Sequence, residues 1–412
     1  MSVVSLPGGA PPGAAIQPSP EVAFFANPVF GIGLSLVGAA LLATAVWLLN
    51  KRRQVVRVRK TLRWIACTAG SLSLVLGLGT VANWYAGWLP NMDAVRIRLG
   101  LGHAAGDQAE LAASAPAQEQ LGAEAIIGSQ APLSRPSPFP ATNPPPAGGA
   151  KEFSLPAPER LNLADNTAWV YTPPGYDPSG RVAYPVIYLI HGSPGASQDW
   201  MASGGPAVLD QMIAAGELAP VIAVAPGVGA RGAPDSGCLD STKPGGSQVE
   251  TFLYDVVKPW AENHFPVATD RRAIAIGGMS MGGYCAIDQA LRHPDQFASV
   301  LSIMPYGGPG EAGQNMKSNQ AEIDAVTPLG YIPTIDTIAA NPLAVWFAIP
   351  GSEVDGQVGR ETKAMAAALL ERAQDVDVHI ADGQDHTWKM AIASFPIGLR
   401  YWQSQLDRLD QP

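Results

Sequence analysis

A short stretch of the C-terminal half has the residue types and spacing for acyl chemistry. Gly278-Met279-Ser280-Met281-Gly282 is a G-x-S-x-G motif, preceded by the apolar run 273–277 and followed by a helical pattern toward Arg292. In that strand–turn–helix setting the flanking glycines allow a tight turn. The turn lifts a serine hydroxyl above a sheet, at a helix N-terminus whose amides face an anion. Ser280 is the candidate nucleophile. A Gly-rich turn that serves packing alone is the competing reading of the motif taken by itself.

A serine hydroxyl needs a base, and the chain has six histidines: His103, His191, His264, His293, His379 and His386. His103 falls in a low-complexity stretch, His264 and His293 fall at helix ends, and His379 falls inside a strand pattern. His386 lies in Asp382-Gly383-Gln384-Asp385-His386-Thr387-Trp388, directly after the last apolar run, where a general base reaches a nucleophile on the same sheet edge. The imidazole in turn needs a carboxylate to fix its tautomer. Pro350-Gly351-Ser352-Glu353-Val354-Asp355-Gly356 offers two, with Asp355 the first choice and Glu353 the alternative. The chain order Ser280, Asp355, His386 is the nucleophile–acid–histidine order of α/β-hydrolases. The oxyanion hole is expected from the backbone N–H groups of Met281 and Ser193. Ser193 stands in the loop His191-Gly192-Ser193-Pro194-Gly195, which His191 shapes.

Elements able to hold these residues follow from the hydrophobic pattern. Strands are expected over 168–172, 186–190, 221–225, 273–277, 299–303, 345–349 and 376–380, and helices over 207–215, 248–264, 282–292, 360–372 and near 395–406. Continuous apolar runs such as 186–190 suit strands covered on both faces, and their alternation with helical patterns marks a mostly parallel sheet flanked by helices. Ligands of such sheets bind at the C-terminal strand edge, where the four candidate loops fall.

The rest of the chain differs in composition. Residues 1–150 carry a formal charge of +4 and residues 151–412 carry −13, which together make the −9 of the whole chain. The acidic half excludes nucleic acid as a partner, since binding a polyanion needs a basic face. Residues 22–50 and 64–92 contain no charged side chain, and each is long enough to cross a hydrocarbon core. Six positive charges without an acid stand in 51–60, and Trp47, Trp64, Trp84, Tyr85 and Trp88 lie near the ends of the runs. The positive-inside bias puts the basic loop in the cytoplasm and both termini outside. A cleaved signal peptide fits poorly, because the basic cluster follows the first apolar run instead of preceding it.

The expected organisation is a Gly/Pro-rich tail over 1–25 and a two-helix membrane anchor over 26–91 with a basic cytoplasmic loop at 51–60. An Ala/Pro/Gly-rich tether over 92–150, opening in a short helix near Met92, then leads to a catalytic domain over 151–412. Outside the cytoplasm Cys238 and Cys285 are free to form a disulfide beside the Ser280 segment, whereas Cys67 sits in the second apolar run. No His/Cys/Asp cluster has metal-ligand spacing, and no cofactor is called for.

On His191-Gly192 with Asp199-Trp200, Gly278-Met279-Ser280-Met281-Gly282-Gly283, His293-Pro294-Asp295-Gln296-Phe297 and Asp385-His386-Thr387-Trp388, the sequence resembles the Putative esterase family of α/β-hydrolases. That family includes esterase D, feruloyl esterase modules and the antigen 85 mycolyltransferases. The resemblance covers roughly 155–408, and Asp235-Ser236-Gly237-Cys238-Leu239-Asp240 with Gly283-Tyr284-Cys285-Ala286 is similar to actinobacterial envelope members in particular. It implies an α/β-hydrolase fold preceded by two transmembrane helices, with Ser280 as nucleophile, His386 as base and the Met281 and Ser193 amides as oxyanion hole. The expected function is a membrane-anchored serine esterase acting outside the cytoplasm on a small-molecule or lipid ester, such as an envelope lipid or glycan ester. Acyl transfer by the same triad and an inactive hydrolase fold used for binding are the alternatives. The oligomeric state is left open.

Overall fold

The computed structural model of the chain describes residues 26–50, 56–99, 131–138, 147–233 and 235–410. The expected tail 1–25, residues 51–55 of the basic loop and most of the expected tether therefore lie outside the described residues. The chain opens with α1 (Pro28–Asn50) and α2 (Val56–Ala86), two helices long and apolar enough to cross a membrane. They pack through small residues: a Cβ on Gly38 would stand 2.7 Å from Gly70 O and from Leu74 N, so the two backbones approach each other directly. Leu36, Val37, Leu72 and Val75 point away from the pair and are exposed.

After α3 (Met92–Arg98) the chain builds one eight-stranded sheet. Its strands are β1 (Gly149–Ser154), β2 (Thr167–Thr172), β3 (Val186–Ile190), β4 (Ile222–Pro226), β5 (Ile274–Met279), β6 (Ser299–Ile303), β7 (Ala344–Pro350) and β8 (Asp375–Ala381). The spatial order is β1-β2-β4-β3-β5-β6-β7-β8; β1 and β2 pair antiparallel and all strands from β4 to β8 pair parallel. Every residue of β3 to β7 is buried, as the continuous apolar runs require of strands covered on both sides.

Alternation splits those side chains between two cores. Val186, Tyr188 and Ile190 of β3 join one, with Val257, Ile287 and Leu369. Ile187 and Leu189 join the other, with Leu209, Phe395 and Trp402. The sheet edges carry charge instead, Lys151 and Glu152 on β1 and Asp375 and Asp377 on β8, which discourages pairing with another chain. Helices α4 (Asp199–Ala202), α5 (Gly205–Ala214), α6 (Met281–Arg292), α7 (Gln357–Glu371) and α8 (Trp388–Asp407) cover the sheet near the site.

The expected strands and helices are all present, with boundaries moved by a few residues. The expected helix over 248–264 carries a π-helical turn at Leu253–Val257. Two features lie inside or across the end of the stretch expected to be a tether. Gly149–Ser154 pairs as edge strand β1, and Ser134 hydrogen-bonds Pro220 O with its hydroxyl at 2.6 Å. The helix expected from Met92 is α3, capped by Asn91 Oδ1 accepting from Ala94 N at 2.9 Å.

Candidate active site

The register brings the candidate loops together. Ile190 pairs with Gly278, Met279 with Ile303, Ile303 with Ala348 and Pro350 with Ala381, so the chain leaves β3, β5, β6, β7 and β8 along one edge. Ser280 follows β5 and heads α6 with φ 56 and ψ −118, a left-handed conformation that a non-glycine residue adopts only when its surroundings impose it. The glycines explain how. A Cβ on Gly282 would overlap Ile190 O and stand 2.6 Å from His191 O, and one on Gly283 would stand 2.6 Å from Ile303 O. The helix thus starts flush against β3 and β6. From 273 to 291 every residue is buried except Ser280.

His386 lies in the loop between β8 and α8, and its Nδ1 is 2.9 Å from Glu353 Oε2. Both groups are partly solvent-exposed, with side-chain exposures of 22% for His386 and 34% for Glu353. The residue on the histidine is therefore Glu353 and not Asp355, the first choice from sequence. The chain turns in a 3-10 helix at Gly351–Glu353 as it leaves β7, which carries Glu353 toward β8. Two residues later the chain has turned outward: Asp355 is exposed and its carbonyl accepts from Arg360 at 2.5 Å.

The expected oxyanion donors belong to two adjoining segments. Met281 is the first residue of α6, where a backbone N–H has no acceptor within its own helix. Ser193 belongs to the loop after β3, which lies against the Ser280 turn: a Cβ on Gly192 would be 3.5 Å from Ser280 Cβ. His191 holds that loop with both ring nitrogens. Nδ1 donates to Gly192 O at 2.7 Å and Nε2 accepts from Val228 N at 3.3 Å, which gives the ring a shaping role. Asp199 of α4 closes the loop by accepting from Ala196 N at 3.0 Å, and Arg98 of α3 pairs with the same carboxylate at 2.5 Å.

Tyr306 is a site residue the sequence reading missed. Its ring stacks on His386 at 6.0 Å between centroids, and the Ser280 hydroxyl is among the groups that act on its phenol. Burial, and next the charge of Glu353, push its phenol above the ordinary value. The signal available was position alone, in Met304-Pro305-Tyr306-Gly307 directly after β6. Asp235 stands behind the loop after β3. Burial raises its carboxyl, against the N–H of Gly237, the charge of His191 and the hydroxyl of Ser193, which hold it down.

The remaining described histidines sit elsewhere. His264 donates Nδ1–H to Trp260 O at 2.7 Å, His293 pairs with Glu250 at 2.7 Å, and His379 stacks on Trp346. His103 is outside the described residues. Cys238 and Cys285 are joined by a disulfide that ties the segment after Asp235 to α6, whereas Cys67 is free. No group of three or more potential metal ligands occurs among the described residues.

Comparison with known proteins places the chain in a family. The family described as Putative esterase matches residues 164–408, more than half of the chain. An uncharacterized protein of Corynebacterium glutamicum is 32% identical over 138 residues, 33% of this chain and 32% of its own length. An esterase of Mycobacterium tuberculosis is 34% identical over 140 residues, 34% of this chain and 28% of its own length. The chain thus spans less than a third of the length of these curated relatives. Among solved structures, a ferulic acid esterase aligns with a TM-score of 0.53 at 23% identity, over 62% of this chain and 99% of that one. An S-formylglutathione hydrolase from Agrobacterium tumefaciens aligns at 0.50 and 18% identity, over 66% and 100%. These two are likenesses of fold. With the family match running from β2 to α8, the chain is a member of the Putative esterase family and has the α/β-hydrolase fold.

Proposed function

We propose that this chain is a membrane-anchored serine esterase acting outside the cytoplasm, with Ser280, His386 and Glu353 as its triad and the amides of Met281 and Ser193 as its oxyanion hole. The observation that carries this reading is the His386–Glu353 pair on the sheet edge that also bears Ser280, with the Tyr306 ring stacked on the histidine. Glu353 accepts Nδ1–H, which leaves Nε2 as the basic nitrogen. Ser280 Oγ attacks the ester carbonyl carbon while Nε2 takes its proton, and the tetrahedral oxyanion draws on the two amides. Collapse breaks the carbon–alkoxide bond, and the imidazolium returns the proton to the departing alcohol. Water then attacks the acyl-enzyme with the same nitrogen as base, releasing the carboxylic acid and restoring the Ser280 hydroxyl.

The anchor rests on α1 and α2, whose spans 28–47 and Thr61–Ala86 have mean hydropathies of 2.2 and 1.8. The outside placement of the domain rests on the basic loop between them and agrees with the Cys238–Cys285 bond, since disulfides persist in oxidising compartments. The location points to an ester of the envelope as substrate. The test is labelling of the full chain by a fluorophosphonate probe, with turnover of p-nitrophenyl acetate and butyrate. Labelling absent in Ser280→Ala and turnover absent in both Ser280→Ala and His386→Ala supports the reading. A folded wild-type chain that neither labels nor turns over sinks it.

A further inference from the structure

The link between the apolar hairpin and the hydrolase domain is fixed to the active-site loops. At the end of α2 the Tyr85 hydroxyl is 3.0 Å from Asp385 Oδ2, one residue before His386. Lys389, three residues after His386, sets its ammonium 4.8 Å over the ring of Trp84. The chain then turns at Gly87, where φ is +73 and a Cβ would stand 2.8 Å from Lys389 N, so the turn lies directly on the start of α8. Asn83 closes the turn from both sides: its Nδ2 donates to Leu89 O and its Oδ1 accepts from Leu89 N, each at 2.8 Å. Beyond it α3 buries Ile97 in the domain core and places Arg98 on Asp199, under the loop of Ser193. One continuous stretch of chain thus braces the loop of the base and the loop of the oxyanion hole.

We propose that this brace seats the mouth of the active site on the bilayer surface, and that the substrate is a lipid ester held in the adjoining leaflet. The inference rests on the esterase and anchor readings above and adds the substrate's physical location. The apolar span of α2 ends at Ala86. Trp84, Tyr85 and Trp88 at that end are 41%, 53% and 52% exposed, the amphipathic rings that settle at the level of lipid headgroups. Met92 and Leu99 extend the same exposed apolar border along α3. One headgroup layer is about 5–8 Å deep, and Asp385 and His386 are neighbours with Cα atoms about 3.8 Å apart. The catalytic nitrogen therefore stands within reach of an ester linkage at the glycerol level of a lipid, without the lipid leaving its leaflet. A flexible tether would instead hold the mouth at a variable distance and favour esters dissolved in water.

The test uses the full chain in vesicles of phosphatidylcholine and phosphatidylglycerol. Turnover of a fluorogenic phospholipid ester embedded in the vesicle is compared with that of water-soluble p-nitrophenyl butyrate. One variant carries a 20-residue Gly-Ser insertion between Ala86 and Gly87, and a second is Trp84→Ala. The insertion is expected to lower lipid-ester turnover about tenfold or more, because a flexible spacer dilutes the site relative to the surface. Butyrate turnover is expected to fall less, since loosening the brace acts on both substrates while distance from the surface acts only on the lipid ester, and Trp84→Ala to shift the same ratio by a smaller factor. Lipid-ester turnover untouched by the insertion overturns the proposal, as does an equal fall on both substrates in both variants. Wild type that cleaves butyrate but no vesicle ester also overturns it while the esterase reading stands. Failure on both substrates, with no fluorophosphonate labelling, fails at the esterase reading itself.

Discussion

His386 Nδ1 and Glu353 Oε2 are 2.9 Å apart, while Asp355, two residues further on, is exposed on the outside of the same turn. The two carboxylates are close in sequence and opposite in orientation, so they separate cleanly in a mutational test. Glu353→Gln keeps the shape but leaves the imidazole without its anionic partner, and kcat on p-nitrophenyl butyrate is expected to fall about 10²–10⁴-fold. Asp355→Asn is expected to stay within about twofold, as for an exposed side chain without a role. The reverse ranking would remove Glu353 from the triad.

Tyr306 stacks on His386, and the Ser280 hydroxyl is among the groups that act on its phenol. Tyr306→Phe keeps the ring and loses the hydroxyl, which is expected to lower kcat by about 2–10-fold, the worth of one hydrogen bond. KM should not move. Steady-state kinetics beside Tyr306→Ala checks this, and the alanine variant should lose more because the imidazole also loses its stacking surface. Equal effects of the two substitutions would show that the hydroxyl contributes everything and the ring nothing.

Gly282→Ala is expected to destabilise the domain by about 1–3 kcal/mol, because its Cβ would overlap Ile190 O and only backbone movement can relieve that. The movement displaces β3's end and the loop of Ser193, so residual folded protein should label poorly with a fluorophosphonate. Thermal unfolding and labelling on the same samples give both readouts. A variant with unchanged Tm and labelling would mean that the elbow is looser than the contacts imply.

Glu250 links stability to pH. Burial alone would raise its carboxyl, but hydrogen bonds from His293 and Arg292 and the Arg292 charge outweigh burial and hold it at about 2, below the ordinary 4.5. A carboxyl depressed by folding stabilises fully above about pH 4.5 and loses that contribution as pH falls toward 2. The size is about 3 kcal/mol at neutral pH. Glu250→Gln should therefore cost about that much at pH 7 and flatten the decline below pH 4.5. Denaturation midpoints of both proteins at pH 7 and pH 3 measure the change, with Asp288, which shares Arg292 with Glu250, responding alongside it. Parallel curves would contradict this.

The Cys238–Cys285 bond closes a separation of 47 residues. Replacing both by Ser is expected to cost about 2–4 kcal/mol, most of it through a less constrained unfolded chain. For a domain of this size that lowers Tm by roughly 5–15 °C. Thermal unfolding with and without reductant measures it, and an unchanged Tm in both conditions would deny the bond a stabilising part.

The sequence by itself determined the elements and the reacting types. Runs such as 186–190 and 345–349 are apolar throughout because a parallel strand is covered on both faces, and β3 and β7 occupy those residues. The motif around Ser280 was legible because its glycines mark a tight strand-to-helix turn whose backbone approaches its neighbours closely, a demand that the spacing of glycines records in sequence. Residues 149–154 were not legible as a strand, since an edge strand with Lys151 and Glu152 has the composition of a linker. Only tertiary structure decided between Glu353 and Asp355, because a 3-10 turn rotates successive side chains by roughly a third of a circle and which one meets His386 depends on where β8 ends. The same holds for Tyr306 and for the brace at Tyr85. Their partners His386 and Asp385 are remote in sequence, and no local pattern records a contact that exists only once the sheet order and the packing of α2 on α8 are set.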